Sequence, residues 1–283
     1  MKNKKVSIIM NNYNGQKYLS RSVKSILKQD YSNWELIFWD NRSSDKSKII
    51  IKKYKDKRIK IFFSKKHEKL YKARNLALSK AKGDFISFLD VDDTWQANKI
   101  STQINKIKNA DICFSNYWIN KDGNLKLFKK DLSSYKIKDQ ILNEYPIGIL
   151  TVFMKSEIFK KKKLFFDSNY EIIGDFDFFY KLSKTFKFTC INKPLATYYI
   201  HGNNLSIKKL KLEINEFKNW IKINKKNLPK NNRLMENNNI RMCNYLYNNN
   251  RLNFLSSDLN KIENFKIKMK FYIKIILQFI LLK

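Results

Sequence analysis

The sequence predicts an α/β protein: a mostly parallel sheet with helices on both faces, followed by a basic helical region. Three observations carry that expectation. Short apolar runs at 6–10, 35–39 and 85–89 alternate with stretches of helical spacing, the pattern of βαβ units. Each run stops at a cluster of Asn, Asp, Ser or Gly, and ligands of open α/β sheets bind at such strand ends. Past residue 206 acidic residues thin out and the apolar spacing turns helical.

Taken in order, residues 6–10 read as a fully buried strand that breaks at Asn11-Asn12-Tyr13-Asn14-Gly15. Leu19, Val23, Ile26 and Leu27 then follow at helical spacing, with Ser20 as the expected cap. A second strand, 35–39, ends at Asp40-Asn41-Arg42-Ser43-Ser44-Asp45, and a basic helix runs from there to about Tyr54. Residues 58–63 make a third strand, and 73–81 a helix closed by Gly83. The strand at 85–89 runs into Asp90-Val91-Asp92-Asp93, beyond which Asp93 or Thr94 is placed to cap a helix starting near Trp95. Ile100, Ile104 and Ile107 mark a helix, and 111–116 a strand leading to a hairpin at Asp122-Gly123-Asn124. Between 125 and 170 only 147–154 reads clearly, as a strand. A helix at 176–183 and a strand ending at Tyr198-Tyr199-Ile200-His201 follow. Leu210, Ile214, Phe217, Ile221 and Leu228 share a helical face, and the Asn-rich runs at 237–239 and 248–250 read as loops or helix ends.

Composition narrows the partners. The 283 residues carry a formal charge of +33, which favours nucleic acid, anionic lipid or acidic substrates. Only seven of the 58 basic residues are Arg, and base and phosphate readers lean on Arg forks, so a nucleic-acid partner is not expected. Cys113, Cys190 and Cys243 are odd in number and widely spaced, which reads as reduced thiols in a cytoplasmic protein rather than a zinc or disulfide framework. The apolar run after the basic N-terminus is too short for a signal peptide, and no stretch reaches the roughly 20 apolar residues of a spanning helix.

Three carboxylates within four residues carry the chemistry. Like charges this close repel unless a cation or a dense donor network lies between them. Hard oxygen ligands at a strand end suit Mg²⁺ or Mn²⁺, which take further ligands from substrate phosphates. Tyr13 is placed to stack on a base, Asp40 to accept from a base imide or ribose hydroxyl, and Arg74 to reach a diphosphate. No glycine-rich phosphate loop occurs, which excludes dinucleotide oxidoreductases and P-loop NTPases.

Residues 6–14, Trp39-Asp40-Asn41-Arg42-Ser43-Ser44-Asp45, Ala73-Arg74-Asn75 and Phe88-Leu89-Asp90-Val91-Asp92-Asp93 together resemble the successive motifs of the family 2 nucleotide-sugar glycosyltransferases with a GT-A fold. The resemblance covers about the first 120 residues. It departs at Asn11 and Asn12, where the family often has Pro or Thr, and at Asn41, where it often has a second acid. It implies an inverting transfer of a sugar from a nucleoside diphosphate, expected to be UDP-linked, to a hydroxyl acceptor. Asn11, Tyr13, Asp40, Arg74, Asp90 and Asp92 would bind the donor, with Asp92 and Asp90 on the metal. Gly174-Asp175-Phe176-Asp177 resembles the family's Glu-Asp-x-Asp segment with Gly in the Glu position. On that alignment Asp175 is the base that deprotonates the acceptor; the competing reading is a helix cap. His201 resembles the family's His that faces metal and diphosphate, while His67 reads as structural.

The expected domains are a glycosyltransferase domain at 1–205, split into a nucleotide half (1–120) and an acceptor half (121–205), and a basic helical region at 206–283. Residues 202–283 hold 17 Lys and Arg against five Asp and Glu. Lys266, Lys270, Lys274 and Gln278 form one ridge of an otherwise apolar helix over 265–283. Such a helix suits peripheral contact with the anionic inner face of the cytoplasmic membrane, or packing on protein. A lipid-linked acceptor, as in surface-polysaccharide assembly, fits the first. Rival readings are a non-catalytic nucleotide-sugar binder, a basic nucleic-acid-binding protein and a glycosidase.

Overall fold

The computed structural model describes residues 3–160, 162–229, 232–249 and 258–281. The chain divides into two compact units, 1–141 with 145–202, and 142–144 with 203–283.

The first unit is built on one nine-stranded sheet. Its strands are β1 (Val6–Asn12), β2 (Trp34–Asp40), β3 (Ile59–Phe63), β4 (Phe85–Phe88), β5 (Thr94–Trp95), β6 (Ile112–Lys121), β7 (Asn124–Leu127), β8 (Phe153–Lys155) and β9 (Phe188–Ile200). The order is β3-β2-β1-β4-β8-β6-β9-β5, with β7 on β6. The β3-β2-β1-β4 part is parallel and β8 runs antiparallel between β4 and β6. Six helices accompany it: α1 (Leu19–Leu27), α2 (Ser47–Lys52), α3 (Leu70–Leu78), α4 (Lys99–Lys106), α6 (Glu157–Lys160) and α7 (Gly174–Leu182). A further helix, α5 (Ile137–Glu144), ends in residues of the second unit. β1 and β2 are buried along nearly their whole length, which is why they read as continuous apolar runs rather than alternating ones. Val6, Ile8 and Met10 pack with Leu36, Phe38, Leu19, Val23 and Ile26 in the principal core.

Several boundaries differ from the sequence expectation. Ser20 lies inside α1, whose N-cap is Tyr18. Thr94 and Trp95 pair with β9 instead of opening a helix, and α4 starts at Lys99. α3 begins at Leu70, so Tyr71 and Arg74 lie one turn apart on it. Within 147–154 only Phe153 and Met154 are strand, and Ile149–Thr151 is a 3-10 turn. There Trp95 Nε1 donates to the Leu150 carbonyl (2.8 Å) and Gln103 Nε2 to that of Thr151 (2.7 Å). These side chains satisfy carbonyls that a strand would have offered to a neighbour. The hairpin forms as expected, with Asp122 (φ 52°) and Gly123 (φ 89°) both left-handed.

The second unit contains α8 (Leu205–Lys208), α9 (Leu210–Asn224), α10 (Leu234–Asn248) and α11 (Phe265–Leu281). Asn237 to Asn239 lie within α10 rather than in a loop. Their amides donate outward, to the carbonyls of Asn143 (2.7 Å), Ile214 (3.1 Å) and Lys261 (3.2 Å), so they link neighbouring segments instead of competing for the helix's own backbone. Leu228 falls beyond α9. Cys243, Leu246, Leu259, Ile262 and Phe271 form a small core of their own. Among the described residues no helix is long and apolar enough to cross a membrane.

Candidate active site

The parallel register brings the strand ends together. Ile9 pairs with Phe88 and Asn12 with Asp40, so Asn11 stands level with Asp90 on the rim formed by β1, β2 and β4. Asn11 is partly buried as a residue, but its amide oxygen and nitrogen are both shielded and have no partner among the described residues, an arrangement that calls for a bound water or ligand. Tyr13 is 54% exposed and lies against the His67 ring, centroids 4.2 Å apart. His67, expected from sequence to be structural, stands beside the residue expected to meet the base.

Asp40 does not face open space. It is fully buried, and its two oxygens accept from Asn12 Nδ2 (2.9 Å) and the Ser43 backbone N–H (2.9 Å). The Asn41 amide bridges to the carbonyl (2.7 Å) and N–H (3.0 Å) of Glu68. Asp40 and Asn41 therefore tie the β2 turn to its neighbours from beneath. Gly15 is required in the same turn, since a Cβ there would lie 2.3 Å from Asn12 Oδ1 and 2.8 Å from Val91.

The acidic turn after β4 is held from α1. Arg21 donates to the Asp92 carbonyl (2.6 Å), and Ser22 Oγ reaches the carbonyls of Val91 (2.8 Å) and Asp93. Each of the three carboxylates then meets a different environment. Asp90 accepts from Arg74 (2.8 Å), whose guanidinium is 3% exposed and lies 5.9 Å from the Phe88 ring and 5.6 Å from that of Phe166. Asp92 Oδ2 lies 3.0 Å from His201 Nε2, at the end of β9. Burial and then the Asp90 charge push the Asp92 carboxyl above the usual range, opposed by His201. Asp93 points inward, 1% exposed, and accepts from the Tyr199 N–H (3.0 Å). Burial and its two acidic neighbours raise it much further. His201 is stacked on Tyr18 (4.4 Å), and the Arg21 guanidinium covers the Tyr199 ring (3.4 Å).

Asp175 lies in the first turn of α7 and is not its cap, which is Ile173. Its carboxylate accepts from Tyr71 Oη (2.9 Å) and Tyr145 Oη (3.2 Å). Burial raises its pKa, against the lowering influence of Arg74 and the two phenols. Arg74 in turn feels both Asp90 and Asp175, so one cation faces both the donor rim and the candidate base. Asp177 pairs instead with Lys181 (2.6 Å).

The geometry therefore unites Asp90 with Arg74, Asp92 with His201, and Asp175 with two tyrosines absent from the sequence reading. Tyr71 stands three residues before Arg74, but the expected helix opened only at 73, and the spacing becomes informative once α3 is seen to start at Leu70. Tyr145 had no signal, since it lies within the region of weakest pattern, 125–170. Two carboxylates and an imidazole suit a hard divalent cation completed by phosphate oxygens. As placed, no three His, Cys, Asp or Glu residues among those described are gathered closely enough to hold a metal alone.

A parallel β3-β2-β1-β4 half, an acidic turn at the end of its last strand and a second acid opening a later helix define a GT-A domain. The chain belongs to glycosyl transferase family 2, whose model matches residues 7–166. It is 40% identical over 152 residues to the Escherichia coli UDP-Glc:alpha-D-GlcNAc-diphosphoundecaprenol beta-1,3-glucosyltransferase WfgD, a match covering 53% of this chain and 59% of that one. The S. aureus TarS structure in complex with UDP-GlcNAc superposes with a TM-score of 0.62 at 18% identity, over 86% of this chain and 72% of that one. A mannosyltransferase from Pyrobaculum calidifontis in complex with GDP-Man and Mn²⁺ superposes at 0.59 and 14% identity, over 77% and 64%. Matches span between 41% and 76% of the lengths of the first four curated relatives.

Proposed function

We propose that this protein transfers a sugar from a UDP-linked donor to a hydroxyl on a lipid-linked glycan, with inversion at the anomeric carbon. The observation that carries the proposal is Asp175. A partly buried carboxylate, raised by desolvation and aimed by two phenols, shares Arg74 with the acidic rim. A base for the acceptor and a cradle for the donor thus lie within one electrostatic unit. Asn11 and Tyr13 would meet the nucleoside, with Asp40 fixing the turn beneath them. Arg74 and Asp90 would face the diphosphate and sugar.

Asp92, Asp90 and His201 would hold Mg²⁺ or Mn²⁺, and when bound the ion would stabilise charge on the departing diphosphate. The mannosyltransferase with Mn²⁺ supports that choice. In the transfer, Asp175 takes the proton of the acceptor hydroxyl, the acceptor oxygen bonds to the anomeric carbon, and the bond to the diphosphate breaks.

The lipid-linked acceptor is carried over from WfgD, which is named for a diphosphoundecaprenol substrate. Contact with an anionic membrane is part of the same proposal. On α11, Phe265, Met269 and Tyr272 are exposed at helical spacing beside Lys266 and Lys270, an apolar stripe with a basic border.

The test is thermal stabilisation by UDP with Mn²⁺, paired with transfer assays on UDP-sugars. UDP should raise the melting temperature only with the metal present, and Asp92→Asn should abolish that rise. Asp175→Asn should keep it while losing on the order of 10²- to 10⁴-fold in turnover. Full turnover in Asp175→Asn would remove the base from its role.

A further inference from the structure

The proposed base raises a question that its two partners answer differently. Tyr71 is 2% exposed, and its hydroxyl lies 2.9 Å from Asp175 Oδ1 and 2.6 Å from the Ile172 carbonyl. A phenol has one proton and so donates to only one of these at a time. When Asp175 is ionised, the proton is best placed toward the carboxylate, because a charged acceptor makes the stronger bond. Once Asp175 holds the proton taken from an acceptor hydroxyl, it becomes a donor itself. The phenol oxygen is then free to accept, provided its own proton has somewhere to go, and the Ile172 carbonyl is that place.

The ring is fixed well enough to aim such a bond. It packs against Phe166 at 5.6 Å and lies 5.3 Å from the Arg74 guanidinium. A Cβ at position 174 would come within 2.5 Å of it. Tyr71 therefore fills the space in front of Gly174. Tyr145, at 3.2 Å from the other carboxylate oxygen, has no second acceptor among the described residues.

We propose that Tyr71 is the positioning residue of the base: its hydroxyl stays bonded to Asp175 before and after proton transfer, by turning its proton between the carboxylate and the Ile172 carbonyl. No proton leaves the phenol in this scheme. The proton from the acceptor hydroxyl ends on Asp175, the acceptor oxygen gains the bond to the anomeric carbon, and the diphosphate departs with the electron pair. The inference rests on the glycosyltransferase reading of Asp175.

Tyr71→Phe tests it, since the ring and its packing remain and only the hydroxyl is lost. The titratable and charged groups facing Asp175 are Tyr71 and Arg74 from α3, Tyr145, and Tyr117 from β6. Tyr71 and Tyr145 hydrogen bonds both favour the carboxylate, so removing one should raise the pKa of Asp175. The expected result is a fall in kcat on the order of tenfold, an unchanged KM for UDP-sugar, and an acid limb of the kcat profile moved to higher pH. Tyr145→Phe should do less, its bond being longer. An unmoved acid limb in Tyr71→Phe would overturn the proposal, whatever happens to kcat.

A second reading does not need turnover. The carboxyl carbon-13 resonance of Asp175, identified by its loss in Asp175→Asn, should titrate at higher pH in Tyr71→Phe than in the unmodified protein. An unchanged midpoint defeats the positioning role. A shifted midpoint in a protein that transfers no sugar defeats the glycosyltransferase reading instead, so the two failures are distinct.

Discussion

Gly174→Ala sets two opposing effects against each other at one atom. Ala is favoured over Gly in a helix by up to about 1 kcal/mol, and Gly174 is the first residue of α7, where that gain is smaller. Against it stand three Tyr71 ring atoms at 2.5, 2.6 and 2.7 Å from the new Cβ. Those distances cannot be met without moving a ring that is 2% exposed, hydrogen-bonded at its hydroxyl and packed on Phe166. Overpacking of this kind costs about 1 to 3 kcal/mol, so the clash outweighs propensity and Gly174→Ala should destabilise by about 1 to 2 kcal/mol. Urea unfolding of a double-mutant cycle with Tyr71→Ala isolates the cause. With the ring gone the same Ala should be neutral or slightly stabilising, giving a coupling energy within the roughly 0.5 to 3 kcal/mol of contacting pairs. The reasoning fails if Gly174→Ala is harmless alone, or if its cost is the same with and without the ring.

Two further expectations follow from other parts of the molecule. Lys99 is fully buried, bonded to Ser87 Oγ (2.8 Å) and set 3.9 Å from the Trp95 ring, and burial pulls its pKa well down. In the unfolded chain Lys keeps its proton to about pH 10.4, so between the depressed folded pKa of Lys99 and that pH the unfolded state binds up to one proton more, and there stability should rise with pH by up to about 1.4 kcal/mol per unit. Lys99→Met should be more stable near neutral pH and lose that slope, as read by urea melts between pH 7 and 9.5; an unchanged slope refutes the assignment. For the second unit, Lys266→Glu with Lys270→Glu should abolish co-sedimentation with phosphatidylglycerol vesicles at low salt. Equal binding by that double variant, or no dependence on salt, would exclude an electrostatic membrane contact.

The rim was legible because its residues cluster within short segments whose order follows the strands. Asp90 and Asp92 follow a strand that could be recognised from five consecutive apolar or small residues, and the parallel register then sets Asn11 beside them. What stayed hidden depends on contacts across long intervals. The Asp175 partners lie 104 and 30 residues away in sequence. The burial of Asp40 comes from Asn12 and Ser43 closing over it, and nothing in the turn's composition distinguishes an exposed Asp from an enclosed one. The residues from 149 to 151 failed to form the expected strand because Trp95 and Gln103 had already taken their carbonyls. Asn237 to Asn239 failed to break a helix because their amides found acceptors elsewhere.

These long-range ties converge on α3. Tyr71 and Arg74 share a face one turn apart, so the phenol that meets Asp175 and the guanidinium that meets Asp90 move as one body. Asn75 pins that body, its amide donating to the Phe166 carbonyl (2.7 Å) and accepting from the Phe166 N–H (3.1 Å). Phe166 in turn contacts Tyr71, Phe88 and Phe178, which tie it to α3, to the strand carrying the acidic turn and to the helix carrying Asp175. A displacement of α3 would therefore disturb the contacts of Asp90 and Asp175 together. The aromatic packing around Phe166 thereby links the placement of the Asp90 turn to that of Asp175.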